Sequence, residues 1–443
     1  MKENKSQNRP SQRRKSGADL EKRKSSFVKD LSNLDLEIHG VRLPKFDIQP
    51  EYLELIDNPK KVKNTYDFLI ALCQKGFRKL NIKRGTEKHK KYTDRIYYEL
   101  EILKELGFVD YILLVWKVIH YCNTSDIPIG LGRGSAAGSF VLYLLGVTKI
   151  DSVKYDLFFE RFVSKIRAKK KVIKGVTYLD GSLMCDVDMD VCYYKRKQVL
   201  KYLEEEFEGK TCKIRTLNTL SGKLVMKECG KTVEDKSETE MNHVSAMIPK
   251  VFGQVKDISE AYDEVDEFKN WCDSNPRTFE TAQKIKGLVK NKGVHPSAIL
   301  LSYDDIVKSC PIELDSDKEK ISAYNMDWSQ MFNVKLDVLG LRTVSVVDQA
   351  CKFIGINVED IDLDHESIYQ NLFDLKQPHG IFQVEARANY EVCKKVKPKN
   401  LEELSAVLAL ARPGAMQFTD QYANYTNNDT YEVIHSYFDD ILG

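Results

Sequence analysis

The chain has 443 residues, and a hydrophobic fraction of 42% is enough to bury cores in about two to four domains. Its formal net charge is only +2, but residues 1–24 hold nine lysines and arginines against three acids, a local excess of six that leaves −4 for the rest. Ten cysteines without a C-x-x-C pair disfavour a structural zinc site and fit reduced thiols. Since no apolar run is long enough to span a membrane, we expect a cytoplasmic protein without a membrane partner.

The predicted elements begin with residues 1–42, a basic and disordered tail. Two interpretations of it stay open, a solvated tail without a partner and an arm that contacts nucleic acid. Residues 65–122 place apolar side chains three and four apart, which predicts amphipathic helices, one of them ending at Gly107. Residues 127–146 predict a short strand, a glycine-rich turn and a helix.

Strands and helices alternate irregularly in the remainder of the chain. Residues 216–292 are predicted to be mostly helical, residues 294–302 and 333–341 are predicted buried strands, and helices follow from residue 343. Because β-α-β units do not recur, the pattern predicts an α+β fold rather than a doubly wound parallel sheet.

The segment LMCDVDMDV at residues 183–191 alternates strictly between acidic and apolar side chains after its first two residues. This period places Asp186, Asp188 and Asp190 on one face of a strand, where they repel each other and need a positive partner. Two carboxylates spaced in this way can bridge a pair of Mg²⁺ ions. An EF-hand calcium loop is excluded because Val191 replaces its glycine and Lys197 its last glutamate. A strand that only exposes three acids to water stays open as the alternative.

The glycine-rich turn GLGRGSAAGS at residues 130–139 lacks the Gly-Lys-Ser/Thr ending of a Walker loop. It matches the dinucleotide pattern G-x-G-x-x-A, with Asp151 at a suitable distance, although the later chain lacks the repeated units of that fold. Small residues that allow a tight helix entry are another interpretation. In a third, Arg133 and the backbone N–H groups of Gly134 and Ser135 bind phosphate. In a further one, that phosphate is a nucleoside triphosphate beside carboxylates that hold metal.

Six segments in order closely resemble bacterial replicative DNA polymerase III alpha subunits, the family C polymerases. They are GLGRGSAAGSFVLYLLGVTKIDSVKYDLFFERF, CDVDMDV with RKQVLKYL, IRTLNTLSGKLVMKECGK, NKGVHPSAILLS, VKLDVLGLRTVSVVD and GIFQVEARANYEVCKKVKPKNLEELSAVLALARPGAM. The resemblance extends from about residue 43 to the C-terminus. It implies a palm similar to that of polymerase-beta-like nucleotidyltransferases, with a helical thumb and partial helical fingers.

The resemblance also implies roles for individual residues. Gly134 and Ser135 would hold the triphosphate, while Asp186, Asp188 and Asp337 would be the catalytic carboxylates that bind two Mg²⁺ ions. Asp190 matches a family acid whose role is structural or catalytic, and His295 is interpreted as a packed, hydrogen-bonded histidine. The basic residues expected near the nucleotide or template are Arg133, Arg161, Lys223, Lys335, Arg387 and Arg412.

The sequence departs from the family pattern in four places. Cys185 replaces the proline that usually precedes D-x-D, TLNT replaces TFGT, and Lys227 and Lys231 replace two arginines. Lysine keeps the charge of arginine but loses its bidentate geometry. A basic insertion at residues 166–181 has two equal interpretations, a nucleic-acid contact or a solvated hairpin.

The resemblance implies a domain order, which we take as an expectation. The predicted palm covers residues 43–217 and 293–345, the thumb covers residues 218–292, and partial fingers cover residues 346–443. We expect no PHP domain before the palm, and we expect the sequence to end within the fingers. We therefore expect a reduced or split subunit, of a kind that a phage acting in a bacterial cytoplasm could encode. A second polypeptide with the remaining fingers and the clamp-binding region would dock near residues 431–442.

The expected function is template-directed DNA polymerisation from deoxynucleoside triphosphates on primer–template DNA. Two alternatives stay open, a template-independent nucleotidyltransferase and a non-catalytic DNA-binding remnant. The three aspartates disfavour the remnant, since a site without a function has no reason to retain mutually repelling charges.

Overall fold

The computed structural model describes residues 39–251, 254–315, 317–374, 378–412 and 414–428. The predicted basic tail, except for its last residues, and the predicted docking segment at residues 431–442 lie outside these ranges. Among the described residues, no helix combines the length and the apolar character needed to cross a membrane.

Three long helices form the N-terminal layer: Thr65–Lys79, Glu87–Leu106 and Val109–Thr124. The side chains of Asn64 and Thr86 accept hydrogen bonds from backbone N–H groups in the first turns of the first two helices. Gly107 ends the second helix in the left-handed conformation (φ 82°), so the predicted glycine cap is confirmed. Short helices precede and follow this layer at Pro50–Leu53 and Phe140–Leu144.

Six strands form one sheet: β3 (Asp188–Cys192), β4 (Thr211–Thr219), β7 (Val289–Leu301), β8 (Ile312–Leu314), β9 (Lys320–Asn325) and β10 (Val334–Leu341). Their order across the sheet is β3-β10-β7-β4-β9-β8. The pairs β3–β10 and β4–β9 are parallel, and the other neighbours are antiparallel. This mixed sheet confirms the predicted α+β class, and its topology does not provide the repeated parallel units of a dinucleotide-binding fold.

The main core lies between the helical layer and one face of the sheet. Val187, Met189 and Val191 are buried in it, whereas the aspartates that alternate with them point away. The predicted alternation is therefore confirmed, with one difference: the regular strand begins at Asp188, two residues after Asp186. The helix Arg196–Glu206 connects β3 to β4.

The segment between β4 and β7 is mostly helical and has a core of its own. Its buried side chains, among them Met226, Met241 and Phe268, pack against each other and not into the main core. A two-stranded ribbon of β5 (Lys250–Val251) and β6 (Gln254–Val255) interrupts the helices. The helices are Gly222–Val233, Glu238–Met247, Ile258–Glu264, Asp266–Ser274 and Pro276–Ile285.

The described residues after β10 are mainly helical, as predicted. These helices enclose a small core of their own around Val392, Val396 and Val407. One further short helix, Met326–Ser329, lies before β10. The later helices are Arg342–Ile354, Glu366–Asp374, Arg387–Val396, Leu401–Leu410 and Thr419–Asn428.

The insertion at residues 166–181 contains a hairpin of β1 (Lys170–Ile173) and β2 (Val176–Leu179). The two loop residues, Lys174 and Gly175, both have positive φ, as a type I′ turn requires. Leu179 at its base is buried and pairs with Val41, so the base of the hairpin is anchored to the main core.

Candidate active site

Two parallel strands bring the predicted carboxylates together. Asp337 on β10 lies directly opposite Asp188 on β3, and Asp186 joins them from the residues that precede β3. Single carboxylate oxygens of the three residues lie within 4.8 Å of one another. Hard oxygen donors held this closely on strands fit a divalent cation such as Mg²⁺. We refer to Asp186, Asp188 and Asp337 as the acidic triad.

Lys335 places a positive charge inside the acidic triad. Its Nζ donates to Asp337 Oδ2 at 2.6 Å and to Asp186 Oδ2 at 3.0 Å. Burial alone would lower the pKa of Lys335, but the hydrogen bonds and charges of the two aspartates outweigh it and raise the pKa. The ammonium group thus occupies a position between two carboxylates that a metal ion would also favour.

Burial makes ionisation of the aspartates on this face less favourable. It raises the pKa of Asp186, against the charge of Lys335, and the pKa of Asp188, against the charge of Arg133. It also raises the pKa of Asp190, from an ordinary 3.8 to about 6. An electropositive ligand would lower these pKa values, because it stabilises the ionised forms.

Neighbouring residues that the sequence did not predict support Asp337. Ser297 on β7 donates its hydroxyl to Asp337 Oδ1 at 3.4 Å. Arg196 donates to the carbonyl oxygens of Val338 at 2.7 Å and Ser297 at 3.2 Å, and so ties β10 to β7 beside the triad. His295 Nδ1 accepts from the backbone N–H of Ala298 at 2.9 Å, which confirms the hydrogen-bonded histidine.

The glycine-rich turn lies against the acidic strand. The predicted strand before it is reduced to a single bridge between Ile129 and Val191, and the backbone N–H of Gly130 donates to the Asp190 carbonyl at 2.8 Å. A Cβ at Gly130 would lie 2.8 Å from the Asp190 Cβ, so only glycine permits this approach. Gly134 has φ +62°, and a Cβ there would lie 3.5 Å from Asp188 Oδ2. The turn and the triad therefore form one site.

Arg133 connects the turn to two of the aspartates. Its guanidinium lies 3.9 Å from Asp188 Oδ2 and 3.6 Å from Asp190 Oδ1. Asp190 Oδ1 is buried and makes no hydrogen bond to any described residue. Asp190 thus stands apart from the acidic triad and is a partner of Arg133.

A buried ion pair, which the sequence analysis missed, holds the end of the turn. Glu99 is fully buried and accepts hydrogen bonds from Ser139 Oγ at 2.8 Å and from the backbone N–H groups of Phe140 at 2.9 Å and Val141 at 3.0 Å. Arg95 donates to Glu99 at 2.6 Å and to the Gly138 carbonyl at 2.8 Å. Their spacing of four residues on one helix was a visible signal, but it did not reveal a partner forty residues away.

This ion pair limits which backbone N–H groups of the turn are available to bind phosphate. Glu99 occupies the N–H groups that begin the helix Phe140–Leu144, so phosphate cannot bind at that terminus. The 3-10 helix Gly134–Gly138 begins earlier, and no side chain caps its first turn. Because the first N–H groups of a helix lack partners within the helix, those of Gly134 and Ser135 are the ones available to an anion.

Two further predicted basic residues lie on neighbouring elements. Arg161 is exposed on the 3-10 helix Phe159–Arg161, which packs against Gly134–Gly138. Lys223 begins the helical segment, where burial and the charges of Lys250 and Lys227 lower its pKa. Neither contacts the triad directly in any described interaction.

The other two predicted basic residues lie after β10. Arg387 begins the helix Arg387–Val396, and Arg412 follows the helix Leu401–Leu410. Both are exposed, and no described contact joins either of them to the triad. Their placement at the nucleotide or template stays a prediction.

Comparison with known proteins covers most of the chain. Residues 67–340 match the family model described as the bacterial DNA polymerase III alpha NTPase domain. Residues 343–443 match a second family model, described as the bacterial DNA polymerase III alpha subunit finger domain. The chain belongs to the bacterial DNA polymerase III alpha subunit family. The sequence-based resemblance is therefore confirmed at the level of the family.

Individual DNA polymerase III alpha relatives show the extent of the similarity. The DNA polymerase III subunit alpha of Staphylococcus aureus (strain N315) is 31% identical over 363 residues, 79% of this chain and 32% of the relative. That of Aquifex aeolicus (strain VF5) is 29% identical over 408 residues, 85% of this chain and 33% of the relative. The chain thus spans about a third of the length of the curated relatives that it matches.

Proposed function

We propose that this chain is a template-directed DNA polymerase that transfers a nucleotidyl group from a deoxynucleoside triphosphate to a primer 3′-hydroxyl. The observation that carries the proposal is the meeting of the acidic triad with the glycine-rich turn through Asp188 and Gly134. A carboxylate cluster beside unpaired backbone donors is suited to hold a metal-bound triphosphate. Membership of the DNA polymerase III alpha family supports the same activity.

The acidic triad would hold two Mg²⁺ ions. When bound, these ions neutralise the phosphates and make the primer hydroxyl a better nucleophile. The chain itself fixes the positions of the ligands: Asp188 and Asp337 are in register on paired strands, and Ser297 and Arg196 restrain the strand of Asp337. Lys335 would leave the carboxylates and neutralise the triphosphate or the departing pyrophosphate.

The triphosphate would lie along the glycine-rich turn. The backbone N–H groups of Gly134 and Ser135 would donate to its oxygens, and Arg133 would exchange its contacts with Asp188 and Asp190 for a phosphate. The Glu99–Arg95 pair fixes the end of the turn before any ligand arrives, and such preorganisation lowers the cost of binding.

The division into palm, thumb and fingers is part of this proposal. The mixed sheet would be the palm, the helical segment between β4 and β7 the thumb, and the helices after β10 partial fingers. Lys223, Lys227 and Lys250 would contact duplex phosphates from the thumb, so affinity for DNA would fall steeply with salt. The second polypeptide predicted to dock near residues 431–442 stays a prediction, since that segment lies outside the described residues.

An extension assay tests the proposal. Purified chain is supplied with Mg²⁺, four deoxynucleoside triphosphates and a labelled primer, either with or without a complementary template. Extension that copies the template supports the proposal. Extension of the primer alone, with no sequence dependence, identifies a template-independent nucleotidyltransferase instead. Tight DNA binding without incorporation, also after addition of further polymerase subunits, leaves only a DNA-binding remnant.

A further inference from the structure

The hairpin of β1 and β2 carries a concentrated positive charge. Residues 165–180 hold six lysines and arginines and a single acid, Asp180. Only Lys165 forms a salt bridge there among the described residues, with Glu105, and Lys170 donates to the Glu105 carbonyl. The remaining cations, which we call the hairpin patch, are Arg167, Lys169, Lys171 and Lys174, and all four are exposed.

The hairpin presents this patch to solvent and not to the protein. Lys170 lies opposite Leu179 in the ladder, and its contact with Glu105 directs that face toward the end of the helix Glu87–Leu106. Successive residues of a strand point to opposite faces, so Lys169 and Lys171 lie on the other face. Lys174 lies at the turn. Many lysines elsewhere in the described chain have carboxylate partners, whereas the four members of the patch have no salt bridge there.

The chain connectivity keeps the hairpin close to the acidic triad. Leu179 is held by its pairing with Val41, and the backbone at Gly181 packs so closely against Gln330 that an added Cβ would lie 1.9 Å from the Gln330 carbonyl oxygen. Asp186 follows Leu179 by seven residues, which span at most about 25 Å when fully extended. One turn of B-form DNA is about 34 Å long. A duplex that ends at the triad therefore lies within reach of the hairpin.

We propose that the hairpin patch binds the phosphate backbone of the DNA duplex next to the candidate active site. The proposal rests on the proposed function for the position of the DNA, but it concerns affinity and not chemistry. Four exposed cations that have no acidic partner among the described residues repel each other, and phosphates spaced along a duplex neutralise such charges without sequence preference. The patch would add to the contacts of the helical segment and hold the primer end near the triad.

The test compares two variants that lose the same charge. The hairpin variant combines Arg167→Gln, Lys169→Gln, Lys171→Gln and Lys174→Gln. The control combines Lys201→Gln, Lys308→Gln, Lys352→Gln and Lys394→Gln, each of which has an acidic partner on its own helix or one turn away. Dissociation constants for a primer–template duplex are measured over a range of salt concentrations, and thermal unfolding verifies that both variants are folded.

We expect the hairpin variant to bind at least tenfold more weakly than the control at low salt, with a salt slope smaller by about two to four units, near 0.9 for each lost phosphate contact. The double variant Lys171→Gln with Lys174→Gln should lose about half as much, and it replaces the fourfold variant if that one does not fold. Equal affinities and slopes for hairpin variant and control, or a parent that does not bind duplex, would overturn the proposal. It is also overturned if polyglutamate displaces the hairpin-dependent binding as well as DNA does, since the partner would then be an acidic polypeptide.

Extension at saturating DNA separates this proposal from the proposed function. If the hairpin patch acts only through affinity, the hairpin variant extends at the parental rate once DNA is in excess. Loss of hairpin-dependent affinity without extension by any variant would reject the polymerase and retain the DNA contact. If the hairpin variant extends the primer and binds DNA as tightly as the control, the polymerase proposal is retained and the DNA contact of the hairpin patch is rejected.

Discussion

Lys335 lies between Asp186 and Asp337, with its Nζ within 3.0 Å of a carboxylate oxygen on each. The two aspartates are 151 residues apart in sequence, and Lys335 is two residues from one of them. The contact therefore offsets the repulsion that assembly of the acidic triad creates, and it does so at the position where a cation would bind.

Replacement of the Lys335 ammonium by a neutral side chain tests whether lysine and Mg²⁺ compete for the same carboxylates. For Lys335→Met we expect the free energy of unfolding without Mg²⁺ to fall by about 1–3 kcal/mol, since the carboxylates lose a charged hydrogen-bond partner. We also expect tighter Mg²⁺ binding, because lysine no longer competes. Thermal unfolding titrated with Mg²⁺ measures both effects. Lys213→Met, which removes a salt bridge between β4 and Glu319 just before β9, is the control and should leave the response to Mg²⁺ at the parental level. Equal responses of the two variants would contradict a metal site at the triad.

The Glu99–Arg95 pair is expected to stabilise both the fold and the glycine-rich turn. Glu99→Gln leaves Arg95 without its partner and should lower the free energy of unfolding by about 3 kcal/mol. It should also raise KM for the incoming nucleotide more than it lowers kcat. Glu105→Gln on the same helix removes only an exposed pair with Lys165 and should cost less than about 1 kcal/mol. Denaturant unfolding compares them, and similar costs would show that the buried pair does not anchor the turn.

Replacement of Gly134 by alanine should impair nucleotide binding as well as strain the backbone. Gly134→Ala strains a residue with positive φ by about 1 kcal/mol and places a Cβ 3.5 Å from Asp188 Oδ2, where phosphate is expected to bind. Gly146→Ala imposes comparable strain (φ +72°) with no neighbouring atom within 4 Å. We expect about a tenfold higher KM for nucleotide in the first variant alone, measured by steady-state incorporation. The same rise in both variants would mean that the turn does not contact the nucleotide.

The raised pKa of Asp190 predicts a pH dependence of stability. Burial raises this pKa to about 6, above that of an aspartate in an unfolded chain, so the folded chain takes up a proton more readily. The resulting stabilisation is complete below about pH 4 and is lost as the pH rises through 6. Asp190→Asn should therefore unfold at a higher temperature than the parent at pH 8, and the difference should shrink toward pH 5. A difference that does not change over this range would contradict the raised pKa.

The sequence predicted the parts of this site that local patterns encode. The alternation at residues 183–191 identified the buried and acidic faces of β3, because a strand has a period of two. The cap at Gly107 and the α+β class followed from equally local signals. Asp337 was placed beside Asp188 only through the family resemblance, since no periodicity relates residues 149 positions apart.

Other features depend on tertiary contacts and were not predictable in this way. Glu99 looked like an ordinary residue of an amphipathic helix, although it is fully buried against the Ser139 hydroxyl and the backbone N–H groups of Phe140 and Val141. Arg196 and Ser297 act through carbonyl and hydroxyl contacts to β10, which leave no mark in a single sequence. The short strand predicted before the glycine-rich turn became a single bridge, because Gly130 must lie directly against Asp190.

The most direct test of the central claim, that the acidic triad is a metal-dependent polymerase centre, is primer extension by Asp337→Asn. The variant is compared with Asp327→Asn, an exposed aspartate shortly before β10, and DNA binding is measured in parallel. We predict that Asp337→Asn loses extension by at least a thousandfold while its affinity for primer–template stays within about threefold of the parent, since duplex affinity comes from basic residues. Asp186→Asn and Asp188→Asn should behave in the same way. Extension by Asp337→Asn at the parental rate, in a preparation whose parent copies the template, would contradict the account.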